Sequence, residues 1–160
     1  MMPTFPSKRK YPPTVVLRHR KENLKKCTLV ILERSEDFHF YHYPTDNVPK
    51  LNDYVLLKVD AIPLSEDDQD AGLLILDGTW RYASKMLQHV ENQQSFVFRS
   101  IPSAWQTTYP RKQMDCPDPQ RGLASIEAIF AAYHILGRQT AGLLDGYYWK
   151  DLFLKRNKLY

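Results

Sequence analysis

The chain has 160 residues, 43% hydrophobic and 25% charged, with a formal net charge of +4. Such a length suits one domain that buries about two thirds of its unfolded-chain surface, and no apolar run is long enough to cross a bilayer or to act as a signal. Cys27 and Cys116 lie far apart without metal-ligand spacing, so neither a zinc site nor a disulfide framework is indicated and reduced thiols in a soluble, cytoplasmic protein are expected.

Residues 1–13 hold Pro3, Pro6, Pro12 and Pro13 around Lys8-Arg9-Lys10. That composition cannot build a core and reads as a mobile or peripheral arm before a single domain over 14–160. Thr14-Val15-Val16-Leu17 reads as the first strand. The bases that follow, Arg18, Arg20 and Lys21 through Lys25 and Lys26, form one of three clusters, with Lys8-Arg9-Lys10 and Lys155-Arg156-Asn157-Lys158. Brought to one face they would track a phosphate backbone; apart, they are solvated ends and loops.

Residues 38–43 and 54–59 read as the second and third strands, and the acidic stretch 64–70 as a surface turn or short helix. Leu73-Leu74-Ile75-Leu76 is a continuous aliphatic run between Gly72 and Gly78, as expected of a strand buried on both faces of a parallel sheet. After it Ala83, Met86, Leu87 and Val90 recur at helical spacing. Asp77-Gly78-Thr79-Trp80 occupies this strand-to-helix junction, where α/β folds place ligands. Asp77 and Thr79 also suit a helix cap, and Trp80 also suits core filling.

Residues 95–99 read as a further strand, so strand, helix and strand imply a parallel crossover. From Ile101 to Gly122 prolines replace periodicity, giving a long loop with Tyr109, Arg111, Lys112 and Arg121, an aromatic among bases that suits either single-stranded RNA or solvent. Ser125 opens a helix with Ile126, Ile129, Phe130, Tyr133 and Leu136 on one stripe, ended by Gly137. A last helix is expected from about 142 to 157, burying some of Leu143, Tyr147, Leu152 and Leu154.

Four segments, in order, resemble a known family: Lys25-Lys26-Cys27-Thr28, Leu64-Ser65-Glu66-Asp67, Asp77-Gly78-Thr79-Trp80 and Gly122-Leu123-Ala124-Ser125-Ile126-Glu127-Ala128. They are similar to those of the DTW and Tsr3 group, S-adenosylmethionine-dependent aminocarboxypropyltransferases of RNA. The first two look more like the rRNA-modifying Tsr3 branch, while Asp-x-Thr-Trp marks the tRNA-modifying DTW branch. The N-terminal cysteine cluster usual in the DTW branch is missing from this sequence.

The resemblance implies a SPOUT-like α/β fold, a mostly parallel sheet with helices on both faces and a C-terminal trefoil knot. It implies transfer of the 3-amino-3-carboxypropyl group to a uridine or pseudouridine nitrogen in rRNA or tRNA, releasing 5′-methylthioadenosine without a metal. Asp77 would pair with the donor's α-ammonium, and Trp80 with Ala83 would screen its methyl group. Thr28 would contact the ribose, Gly122 and Leu123 the adenine half, and Ser125 the carboxylate through a helix-start amide, with Glu127 supporting the loop. Arg18, Arg20, Lys25, Lys26, Arg111, Lys112 and Arg121 are the candidate RNA contacts. A SPOUT-type RNA methyltransferase, or a non-catalytic RNA-binding or ribosome-assembly module, would use the same fold differently.

Overall fold

Five strands, β1 (Thr14–His19), β2 (Phe38–Tyr43), β3 (Tyr54–Leu57), β4 (Gly72–Asp77) and β5 (Val97–Arg99), form one sheet in the order β2-β1-β4-β3-β5. Every neighbouring pair is parallel. Among the described residues three α-helices accompany it: α1 (Trp80–Glu91), α2 (Ser125–Ile135) and α3 (Lys150–Arg156). The computed structural model describes residues 11–19, 29–78, 80–109 and 123–159, apart from the side chains of Trp80 and Arg81.

β1 and β4 sit inside the sheet, and their aliphatic runs are buried because both faces are covered. Side chains alternate between those faces. Val16, Val55, Leu73 and Ile75 join the cluster built with α2 residues Ile126, Ile129 and Tyr133 and α3 residue Phe153. Val15, Leu17, Leu56 and Leu74 face the other way, against Met86 and Val90 of α1. Helices therefore lie on both faces, as expected.

Chain direction explains the layering. The connections from β1 to β2 and from β3 to β4 move one way along the sheet and contribute Leu32 and Leu64 to the α2 side. Those from β2 to β3 and from β4 to β5 move the other way and contribute Val48 and α1 to the opposite side. A single crossover hand requires this sorting.

The elements differ from the sequence expectation at some ends. β1 runs on to His19 through two polar residues. β3 stops at Leu57 instead of residue 59. Residues 66–68 form a one-turn 3-10 helix, in which Ser65 Oγ accepts from the Asp67 amide at 3.3 Å and Asp68 accepts from the Ser65 amide at 3.2 Å. A second 3-10 helix, Val30–Arg34, had no counterpart in the sequence reading.

The last helix is the largest departure, since it begins at Lys150 and not near residue 142. Gly142 has φ 84°, a left-handed value that a helix excludes. The chain instead turns through Leu143 N–H to Thr140 C=O, Asp145 N–H to Gly142 C=O and Tyr147 N–H to Leu144 C=O, each spanning three residues. Leu143 and Tyr147 are still buried by those turns, but the helix register buries Phe153 and leaves Leu152 43% exposed.

Residues 11–13 of the expected arm pack on the domain. The Arg138 guanidinium lies 3.7 Å from the Tyr11 ring centroid, and the Tyr54 hydroxyl donates to the Pro13 carbonyl at 2.5 Å. Residues 1–10 of that arm lie outside the described residues.

One buried pair ties α2 to the start of the sheet: the Thr14 and Tyr133 hydroxyls are 2.6 Å apart. Burial, first among its causes, raises the Tyr133 pKa to about 12. Tyr133→Phe is expected to cost about 1–2 kcal/mol in urea unfolding because Thr14 keeps an unmatched buried hydroxyl. Adding Thr14→Val removes that mismatch and is expected to recover most of the loss.

Candidate active site

The C-terminal ends of β1 and β4 meet in register, with Arg18 opposite Asp77. Strand parity decides where both side chains go. Arg18 follows Val16 by two residues and Asp77 follows Ile75 by two, so both belong to the face that carries α2. Ser125, the first residue of α2, donates from its hydroxyl to Asp77 Oδ1 at 2.8 Å. Arg18 Nε stands 3.5 Å from Asp77 Oδ2.

Asp77 is 7% exposed. Burial raises the carboxyl pKa from its ordinary value, while the Ser125 hydrogen bond and then the Arg18 charge pull it back. An acid with these properties, beside a helix start, gains stability as an anion from a cation placed against it. The helix start adds the complementary preference: the α2 amides at Ser125, Ile126 and Glu127 precede Ala128, whose N–H is the first to donate within the helix, and favour an anion. Cation acceptor and anion acceptor thus stand side by side, the charge pattern of an α-amino acid's recognition.

Arg18, expected among bases facing RNA, is 1% exposed. The physical reason is that β1 continues through it, so its side chain is committed to a covered sheet face. Its Nη1 donates to Glu33 at 2.8 Å, and its guanidinium carbon lies 4.6 Å above the Phe40 ring. Glu33 sits on the 3-10 helix that the sequence reading did not anticipate.

Ala83 is half-buried in the first turn of α1, and Trp80 is the residue that starts this helix. Leu123 is half-buried against the α2-side core just before the helix. Thr28, Gly122, Arg20, Lys25, Lys26, Arg111, Lys112 and Arg121 lie outside the described residues, as does the Trp80 side chain. The resemblance also implies a knot in the C-terminal part of the chain, where residues 110–122 lie outside the described residues.

Glu127 is fully buried, and among the described residues no cation lies against its carboxylate. Its Oε1 accepts from Thr107 Oγ1 at 2.6 Å and the Ala124 amide at 2.8 Å. Its Oε2 accepts from the Thr108 amide at 2.8 Å, Thr108 Oγ1 at 3.1 Å and the Tyr147 hydroxyl at 2.8 Å. Several donors to the charged form offset the cost of burying it. Burial and the neighbouring Glu127 charge raise the Tyr147 pKa, so this phenol remains a donor.

That network joins the long loop, the start of α2 and the turns before α3. From the other side Asn157 accepts from the Gln106 amide at 2.8 Å and donates to the Gln106 carbonyl at 3.0 Å, and Arg156 donates to the Thr107 carbonyl at 2.8 Å. Arg156 and Asn157, part of the C-terminal basic cluster, therefore hold the loop in place.

On the opposite sheet face the odd-numbered neighbour His19 stacks on Tyr82 of α1, ring centroids 3.9 Å apart, and also meets Tyr43 at 5.4 Å. Gly78 fits beneath this stack because an added Cβ would lie 2.8 Å from Met86 Sδ and 3.3 Å from His19 Cβ. The tight turn after Asp77 thus has a packing reason. Among the described residues, no group of three His, Cys, Asp or Glu side chains is placed to hold a metal, and no helix is long and apolar enough to cross a membrane.

No family model and no curated protein sequence matches the chain. The fold is similar to that of the SAM-dependent rRNA:acp-transferase Tsr3 from Vulcanisaeta distributa, with a TM-score of 0.65 and 22% identity over 92% of this chain and 80% of that one.

Proposed function

We propose that the protein transfers the 3-amino-3-carboxypropyl group of S-adenosylmethionine to a ring nitrogen of a uridine or pseudouridine in RNA, releasing 5′-methylthioadenosine. The observation that carries this reading is the buried Asp77 carboxylate facing the first residue of α2 at the ends of the adjacent inner strands β1 and β4. Support comes from the shared fold with a protein described as a SAM-dependent rRNA:acp-transferase, which also favours rRNA over tRNA as the acceptor.

In this reading Asp77 accepts the α-ammonium of the donor and the opening amides of α2 receive its carboxylate. Trp80 and Ala83 shield the methyl group, leaving the methionine Cγ open to the nucleophile. That choice of carbon is geometric, because all carbons on the sulfonium are activated and the enzyme decides which one the nitrogen meets in line. Thr28 takes the ribose, and Gly122 and Leu123 the adenine. Arg20, Lys25, Lys26, Arg111, Lys112 and Arg121 carry the RNA backbone by charge.

Ser125→Ala tests the donor site. It removes the 2.8 Å hydrogen bond to Asp77 and is expected to weaken S-adenosylmethionine binding about tenfold in calorimetry, a hydrogen bond to a charged group contributing roughly 1.5 kcal/mol. Methylthioadenosine, which lacks the amino-acid end, is expected to bind the variant and the wild type equally. Equal loss for both ligands would remove the Asp77–Ser125 pair from the donor site.

A further inference from the structure

Arg18 is a buried cation whose proton donors are incompletely used. Among the described residues Nη1 donates to Glu33, while Nη2 and Nε are buried without a hydrogen bond. Nε nevertheless stands 3.5 Å from Asp77 Oδ2, within ion-pair range. A fully buried guanidinium is costly to desolvate, and an apolar residue at this strand position would pack at lower cost. Its place is therefore best explained by what it does to Asp77.

We propose that Arg18 is a positioning residue: anchored by Glu33 and seated over Phe40, it holds Asp77 as an oriented, charged carboxylate for the cationic end of the donor. This rests on the assignment of Asp77 to the donor's ammonium. Ser125 fixes one carboxylate oxygen and Arg18 the other, so the acid cannot rotate freely.

The surroundings add no second cation among the described residues. From β1, His19 is turned to the other sheet face and stacks on Tyr82. From α2, Ser125 binds Asp77 directly, and Glu127 is engaged by Thr107, Thr108 and Tyr147. Glu33 is linked to Asp77 through Arg18. Among the described residues Arg18 is thus the cation that, after the Ser125 hydrogen bond, opposes the burial penalty on Asp77.

The test is the pH dependence of S-adenosylmethionine affinity, with methylthioadenosine as the control for an intact pocket. In the wild type affinity rises with pH as Asp77 ionises, then levels. Arg18→Gln is expected to move that rise to higher pH. Affinity at a pH below the wild-type midpoint then falls about tenfold or more and recovers as pH increases, because an opposite charge within 4–6 Å lowers a carboxyl pKa by roughly one unit or more. Glu33→Gln, at a half-exposed position that tolerates the change, is expected to move the rise to lower pH: it removes a negative charge and releases Arg18 towards Asp77.

In an Asp77→Asn background neither substitution is expected to alter the profile. Shifts of opposite sign that vanish with Asp77 support the assignment, and Glu33→Gln alone decides it should Arg18→Gln fail to fold. A wild-type rise that depends on Asp77 yet is unmoved by either substitution overturns the role of Arg18. A wild-type profile that does not depend on Asp77 overturns the underlying assignment of the donor's ammonium instead.

Discussion

Asp77→Asn is expected to lower kcat/KM for methylthioadenosine release by about 30- to 1000-fold while the protein stays folded. The substitution is nearly isosteric and keeps an oxygen to accept from Ser125, 2.8 Å away. What it removes is the negative charge. A charge-assisted hydrogen bond in a buried site contributes roughly 2–4 kcal/mol beyond its neutral counterpart when the partner is a desolvated cation, which converts to that loss of rate. Steady-state kinetics at saturating RNA, with circular dichroism to verify the fold, measures it.

The same substitution has a signature in stability. Because burial raises the native pKa of Asp77 above the ordinary carboxyl value, there is a pH range in which the native state keeps a proton that the unfolded chain has already released. Stability contributed by this group is therefore fully present below the unfolded pKa and is lost as pH rises through the native one. Asp77→Asn removes that decline, so the wild-type minus variant stability difference is expected to fall with rising pH in urea titrations. A site selected for ligand binding at the expense of stability behaves in this way.

Glu127→Ala is expected to be the most destabilising single change, at about 3–5 kcal/mol, with a melting temperature lower by on the order of 10 °C. The carboxylate receives donors from Thr107, Thr108, Ala124 and Tyr147, and truncation leaves all of them facing a cavity. Glu127→Gln is expected to cost less than half as much. Its amide oxygen still accepts, and the hydroxyls can reverse their roles, but its NH2 group cannot be satisfied by the Thr108 or Ala124 N–H it would face. Differential scanning calorimetry of both variants separates these cases. Loosening of the loop should also reduce RNA-dependent activity at temperatures where the variant remains folded.

Much of the architecture could be read from the chain because its inner strands are aliphatic and continuous. Leu73 to Leu76 announces β4, and the stripe from Ile126 to Leu136 announces α2. The Asp77 junction followed from their order. β1 was harder, since Arg18 and His19 look like the beginning of a basic loop when only hydrophobicity is counted. Parity would have recovered them: extending the strand by two residues puts Arg18 on the face of Val16, beside the end of β4.

The turns before α3 were misread for a related reason. Leu143, Tyr147 and Leu154 keep an approximate helical spacing, but consecutive tight turns bring apolar residues inward at similar intervals, and Gly142 at φ 84° breaks the helix. Likewise the buried acid Glu127 carried no pattern of its own. Its partners come from the distant stretches 107–108 and 147, so only the folded chain brings its donors together.

The most direct test of the central claim follows two isotopic labels on S-adenosylmethionine, one in the carboxyl carbon and one in the methyl carbon, after incubation with the protein and unmodified rRNA. The account predicts that the carboxyl label enters the RNA while the methyl label leaves as methylthioadenosine, and that Asp77→Asn suppresses both. Methyl label in the RNA with carboxyl label in S-adenosylhomocysteine would contradict it.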